Sequence, residues 1–291
     1  MRLVVIGLGY SAQRFIERHR SRFSAVTGTV RTPEKAAALS AEGLPAVAFG
    51  PEAKDPALDE ILAGAEALLV SAPPGPKGDP LLQAHAGALA RAKGLRWIGY
   101  LSTVGVYGDH GGGLVDEGTP PRPSSGRSRA RLDAEIAWLG FGERSGTPVQ
   151  VFRIAGIYGP GRNALANLAE GTAKRIVKPG QVFNRIHVDD IGAALAASLD
   201  RPRPGGIYNL ADDEPAPPQD VVAYAATLME VAPPPEIPFD EAELSPMARS
   251  FYGENKRVSN RRLREELGVR LLYPTYREGL AALWSEGEGR G

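Results

Sequence analysis

Three stretches of this 291-residue chain combine residue types and spacings that can do chemistry. The first, "LVVIGLGYSA" (3–12), sets Gly7, Gly9 and Ala12 as G-x-G-x-x-A between an apolar run and a helical pattern. In such a loop the first glycine permits a tight turn and the second lets the backbone approach a pyrophosphate. The small third residue lets helix and strand pack closely, and the helix start offers unpaired N–H groups and its positive dipole end. Tyr10 and Ser11 open that helix and join Gly7, Gly9 and Ala12 as candidate cofactor contacts. The bland reading is a tight strand-to-helix turn; the position straight after a strand favours a dinucleotide.

The second strand bears on which dinucleotide. An NAD site usually offers a carboxylate about 20 residues downstream for the ribose 2′-hydroxyl. Here "GTVRTPEK" (28–35) offers Arg31 and Thr32 at the strand end, and the nearest acid, Glu34, falls in the next helical pattern. A guanidinium there suits a 2′-phosphate, so NADP(H) is expected, with NAD(H) the alternative and a solvated Arg31 the bland reading. The second stretch, "LLVSAPPG" (68–75), ends a strand in small residues and prolines. Ser71, Ala72 and Pro73 there suit a chain turning away beneath a ribose, or simply a rigid loop.

The third stretch is "LSTVGVYG" (101–108), followed by "SSGRSRARLDAE" (124–135). The adjacent hydroxyls of Ser102 and Thr103 suit hydrogen bonding to a carbonyl, Ser102 is also a candidate cofactor contact, and Tyr107 brings a phenol. The later segment contains neither Tyr nor Lys.

Composition narrows the field. With 34 Lys and Arg against 34 Asp and Glu, the formal net charge is +0, so no bulk attraction to nucleic acid or anionic lipid is expected. There is no cysteine, which removes disulfides, thiolate catalysis and thiolate metal sites. His19, His85, His110 and His187 are too scattered for a zinc site, and no metal is expected. The opening apolar run is too short for a signal peptide, and no stretch approaches the ~20 apolar residues of a membrane span. A cytoplasmic protein acting on a small-molecule substrate, with no nucleic-acid or membrane partner, is the expectation.

These residues must be positioned by regular elements. Apolar runs at 3–6, 25–30, 67–70, 97–101 and 149–152 read as buried strands, and helical spacing appears at 34–40, 80–92 and 128–139. Strands apolar throughout and alternating with helices imply an α/β fold, a Rossmann-type doubly wound parallel sheet covered on both faces. After about residue 155 Pro and Gly punctuate short elements, as in "YGPGR" and "VAPPPEIP". The reading is a dinucleotide-binding domain over 1–155 and a smaller C-terminal α+β substrate lobe over 156–291, with elements near 180–212 returning to the sheet. "SNRRLREELGV" (259–269) reads as a capped helix ending at Gly268.

Six motifs in order then carry a family likeness. They are "LSTVGVYG" (101–108), "VDEGTPPRP" (115–123), "FRIAGIYGPGR" (152–162), "RIHVDDIGAAL" (185–195), "GIYNLADDEP" (206–215) and "YPTYREGL" (273–280). With them the chain resembles the extended short-chain dehydrogenase/reductase superfamily, the NAD-dependent epimerase/dehydratases, as an atypical branch. The resemblance implies a hydride-transferring enzyme, with Thr103 at the catalytic Ser/Thr position. It also implies Tyr158, Arg162 and Arg185 in segments that reach substrate, Arg249 near them, and pairing into a homodimer.

The departures matter as much. The resemblance implies a proton-transferring Tyr and, four residues later, a Lys that holds the nicotinamide ribose; the aligned positions read Ser125 and Arg129. Ile6 replaces the first glycine of G-x-x-G-x-x-G, and Gly156 stands where Asn is common. A phenol with a reference pKa of about 10 can be brought towards neutrality by a cation, whereas a serine hydroxyl is too weak an acid without its own base. Arg129 stays protonated and binds without shuttling protons.

Tyr107 and Tyr158 are replacement phenols or packing residues. His187 is a hydrogen-bonding residue rather than a proton donor, and Asp189 and Asp190 read as N-cap and first-turn acid of a helix. Two readings follow: an NADP-dependent oxidoreductase or epimerase/dehydratase-like enzyme with a rebuilt proton-transfer site, acting on a small carbonyl or a nucleotide sugar, or a catalytically silent NADP(H)-binding sensor or scaffold. A hydroxyacid dehydrogenase with an all-helical C-terminal domain is a third, disfavoured by the Pro/Gly-rich second half.

Overall fold

A computed structural model describes residues 1–50, 55–75 and 77–290. The strands are β1 (Arg2–Ile6), β2 (Ala25–Val30), β3 (Ala46–Ala48), β4 (Ala67–Val70), β5 (Ile98–Thr103), β6 (Leu114–Val115) and β7 (Val149–Ile154). Six more follow: β8 (Gly156–Tyr158), β9 (Arg175–Val177), β10 (Arg185–His187), β11 (Gly206–Leu210), β12 (Glu236–Pro238) and β13 (Arg257–Val258). The helices are α1 (Tyr10–His19), α2 (Pro33–Ala41), α3 (Leu58–Ala63), α4 (Pro80–Arg91), α5 (Gly126–Ser145) and α6 (Ala164–Ala169). The rest are α7 (Val188–Asp200), α8 (Pro218–Leu228), α9 (Pro246–Phe251), α10 (Arg261–Leu267) and α11 (Tyr276–Ser285).

The chain forms two compact units. Unit 1 comprises Met1–Thr103, Ser125–Arg153 and Gly192–Tyr208; unit 2 comprises Val104–Ser124, Ile154–Ile191 and Asn209–Gly291.

In unit 1 a seven-stranded sheet runs in the order β11-β7-β5-β4-β1-β2-β3. Its pairings β1–β2, β1–β4, β4–β5 and β2–β3 are parallel. This is the Rossmann-type doubly wound α/β fold, and it follows from strands buried on both faces: β4 and β7 are buried at every position. One apolar cluster joins Val4, Leu68, Val70 and Ile98 of the sheet to Leu58, Leu81, Ala134, Trp138 and Phe141 of the covering helices.

Local signals set the helix starts. Thr32 accepts from the Lys35 amide at the head of α2, with Pro33 at its first position. Asp79 accepts from Leu81 and Leu82 at the head of α4. α5 outruns its expected 128–139 at both ends, from the Ser125 cap to a left-handed Gly146. β5 and β7 each run two residues beyond their expected ends, to Thr103 and Ile154. The three-residue β3 was not apparent in the sequence.

Unit 2 holds paired two-stranded sheets, β10–β8, β12–β9 and β13–β6. One of its clusters packs Tyr158, Leu165, Val221, Ala225, Tyr276, Leu280 and Leu283. The expected helix near 259–269 is α10, ended by Gly268 in the left-handed region. One reading of this unit is corrected: α7 begins at Val188, and the cap is His187, whose Nδ1 accepts from the Asp189 amide at 3.2 Å. Asp189 and Asp190 therefore both lie in the first turn. Asp190 instead accepts the amides of Leu272 (2.6 Å) and Tyr273 (3.1 Å), and burial pushes its pKa up to about 6. Among the described residues, no helix is long and apolar enough to cross a membrane, and no group of three His, Cys, Asp or Glu is placed to hold a metal ion.

Candidate functional site

The turn between β1 and α1 is built from its neighbours. Gly7 has φ +89°, and its amide donates to Thr29 Oγ1 at 2.9 Å. A Cβ there would lie 2.8 Å from the Ala72 amide nitrogen. Ser71 and Ala72 both donate their amides to Ile6 O at 2.8 Å, which draws that loop against the turn. Gly9 differs: it is exposed, a Cβ would meet nothing within 4 Å, and α1 starts on it with no side-chain cap. Ala12 is fully buried and Ser11 nearly so. The helix start thus offers backbone N–H groups beside open space, an arrangement that fits a pyrophosphate.

At the end of β2, Arg31 is exposed and carries no hydrogen bond or ion pair among the described residues. Thr32 is occupied as the cap of α2. The structure therefore brings Gly7, Ser71 and Ala72 together, leaves Gly9 open, and leaves the Arg31 guanidinium to solvent.

The other end of unit 1 differs from the sequence expectation. Ser102 is buried, and its hydroxyl donates to the Glu135 carboxylate. Glu135 also holds Arg153, Nη2 to Oε2 at 2.8 Å, with both side chains almost wholly buried. The Ser102 proton is thereby committed, and Thr103, the last residue of β5, is the half-buried hydroxyl of the pair.

On α5, Ser125 sits outside the helix as its cap, its Oγ accepting from the Ser128 amide at 3.1 Å. The helix face that meets β5 is the one bearing Arg131 and Glu135. Arg131 Nη1 donates to Leu101 O at 2.7 Å and to the Tyr100 hydroxyl at 3.3 Å. Arg129, exposed, lies two residues or about 200° around the helix from Arg131. On α5 the side chains that meet β5 are thus Arg131 and, four residues later, Glu135. Sequence reasoning missed Arg131, Glu135 and Arg153. The available signal was the 127, 131, 135 spacing, with an acid beside the buried Ala134 and Trp138.

Tyr100 with its neighbouring cation imitates a phenol–cation pair, but burial pushes the phenol up to about 12, outweighing the Arg131 charge that pulls it down. It is a poor proton donor near neutral pH.

In unit 2 the anticipated contact residues are mostly tied internally. Tyr107 is fully buried and donates to Asn209 Oδ1 at 2.8 Å. Tyr158 donates to Thr275 O at 3.3 Å and meets the His187 ring edge-on at 5.1 Å. Burial raises its pKa. Arg185 Nη1 donates to Phe183 O at 2.9 Å and Ala216 O at 3.1 Å. Arg249 donates to Ala242 O and lies 5.0 Å from the Phe239 ring centre. Arg162 is exposed in a turn closed by a bridge to Gly159.

Comparison with known proteins places these features in context. Residues 82–211 match the model of the NAD dependent epimerase/dehydratase family. Over 94% of this chain and 96% of the relative, the sequence is 29% identical to protein YeeZ of Escherichia coli K12. It is 49% identical, with a TM-score of 0.87 and 99% of both chains covered, to a conserved protein of unknown function from Silicibacter pomeroyi DSS. The fold also matches UDP-glucuronic acid 4-epimerase from Bacillus cereus, solved in complex with NAD. There the TM-score is 0.75 at 18% identity, covering 98% of this chain and 96% of that one.

Proposed function

The chain belongs to the NAD dependent epimerase/dehydratase family of extended short-chain dehydrogenases, and on that premise we propose that it is an NADP-dependent oxidoreductase or epimerase/dehydratase-like enzyme with an altered proton-transfer site. The observation that carries this reading is the pair of glycines at the head of α1. Gly7 is closed onto Ala72, and Gly9 stands open where a Cβ would fill the cradle. Gly7, Gly9 and the first turn of α1 would hold the pyrophosphate, with Ser71, Ala72 and Pro73 beneath the ribose. Arg31 would pair with the adenosine 2′-phosphate. The bound nicotinamide supplies a hydride donor or acceptor.

Thr103 would orient a substrate oxygen by hydrogen bonding. Arg131, held on Leu101 O, would keep a fixed positive charge beside it. Neither group releases a proton near neutral pH, so the proton comes from water. The substrate classes that suit this reading are a small carbonyl compound and a nucleotide sugar, the second by analogy with the Bacillus cereus epimerase.

Titration with NADP(H) and NAD(H), followed by NADPH oxidation against a carbonyl panel, tests the proposal. Arg31→Ala should weaken NADP(H) by roughly 10–100-fold, the size of a lost charge-assisted hydrogen bond, and leave NAD(H) nearly unchanged. Absence of binding by either nucleotide would overturn it. A second reading, a silent NADP(H) sensor, is favoured by the lack of Tyr and Lys on α5. It predicts tight binding with no turnover across the panel.

A further inference from the structure

We propose that Arg127, with Arg131 one helical turn behind it, anchors a carboxylate beyond the carboxyl end of β5, so that this protein takes a substrate bearing a carboxylate. The clause about substrate rests on the functional reading above; the anchor itself does not.

Helix spacing puts Arg127, Arg131 and Glu135 on one stripe of α5. Two contacts fix where that stripe points: Glu135 accepts from Ser102, and Arg131 donates to Leu101 O. The helix runs opposite to the strand. Trp138 stacks over Tyr100 with ring centres 6.4 Å apart, while Glu135 meets Ser102 further along β5. At 1.5 Å per residue, Arg127 stands about 12 Å beyond Glu135 along the helix. That carries it past the end of β5 at Thr103, to the edge where open α/β sheets bind ligands. Helical side chains also lean towards the N-terminus, further in that direction.

Among the described residues, the Arg127 charge has no carboxylate partner. Arg127 is exposed and has no hydrogen bond or ion pair among the described residues. The first turn of α5 contains no acid, and two like charges one turn apart repel. Arg131 has committed one nitrogen to Leu101 O and Tyr100. The pair therefore offers one free fork and a single further edge. That matches a planar two-oxygen group, both of whose oxygens one fork can engage at once.

Calorimetric titration of the protein with oxamate and, separately, with inorganic phosphate tests the anchor, with and without NADP+. The variants are Arg127→Gln and Arg127→Lys. Oxamate should bind wild type saturably, at least tenfold more weakly to Arg127→Gln, and with intermediate strength to Arg127→Lys. NADP+ affinity should be the same for all three. If wild type binds no NADP+, the functional reading falls while the oxamate result still decides the anchor. Oxamate binding that is absent, or equal in wild type and Arg127→Gln, overturns the anchor. Phosphate binding tighter than oxamate overturns the carboxylate assignment.

Discussion

Trp138 donates its indole N–H to Asp79 Oδ2 at 3.0 Å, across 59 residues of sequence. The other oxygen of the same carboxylate caps α4 through the Leu81 and Leu82 amides. One buried side chain thus starts one helix and pins another. Burial pushes the Asp79 pKa above the ordinary carboxylate range despite these three donors.

Trp138→Phe keeps an aromatic ring near Tyr100 but removes a donor from that carboxylate. The expected loss is about 1–3 kcal/mol, the cost of a buried acceptor left short of a partner. Urea unfolding checks it, and an unchanged midpoint with unchanged slope would refute the role given to the indole.

The two glycines of the opening turn should respond differently to substitution. Gly7→Ala forces a side chain into a left-handed backbone and against the Ala72 amide, costing at least about 1–2 kcal/mol. A Cβ at Gly9 meets nothing within 4 Å, so for Gly9→Val the thermal midpoint of the nucleotide-free protein should barely move while NADP(H) binding is lost. Binding by Gly9→Val at wild-type strength would remove the pyrophosphate from this turn.

Glu135→Ala leaves the Arg153 guanidinium, 4% exposed, without its carboxylate. Breaking a buried pair from one side costs about 3–5 kcal/mol. A joint Glu135→Leu, Arg153→Met replacement should recover much of this loss in the same denaturation assay. Equal stability of the single and double variants would show that the charges do not act as a pair.

Asp212 gives unit 2 a pH dependence. It is 2% exposed, and burial pushes its carboxyl up to about 8, against the downward pull of Arg185. A folded-state pKa above the unfolded one means the fold holds the proton more tightly. The stability from this group is therefore full below about pH 4 and lost as pH rises through about 8. Asp212→Asn should be more stable than wild type at pH 8, with the advantage shrinking towards pH 4. An advantage that grows on acidification would reverse the sign and sink this account.

Much of the architecture could be read from residue order. Continuous apolar runs mark β1, β2, β4, β5 and β7, five of the seven sheet strands, because a doubly covered parallel sheet demands burial on both faces. G-x-G-x-x-A marks the turn at Gly7 because only glycine accepts φ +89° so close to Ala72. These are local constraints, and local patterns express them. β3 escaped notice because three residues are too short to show a period.

Partner identity is a different matter, because it joins residues that no local period relates. Ser102 reads as a free hydroxyl until Glu135, 33 residues on, accepts its hydrogen bond. Ser125 and Arg129 have the right spacing, but only the packing of α5 on β5 shows that Arg131 reaches Leu101 O, since a two-residue offset rotates a helix by about 200°. Asp189 looks like a cap until His187 occupies that place. Sequence alone establishes the sheet, the nucleotide-type loop and the missing tyrosine and lysine. Packing of α5 on β5 decides that the Arg131 guanidinium meets the strand and that the Ser102 hydroxyl is spent on Glu135, since those depend on rotation and burial.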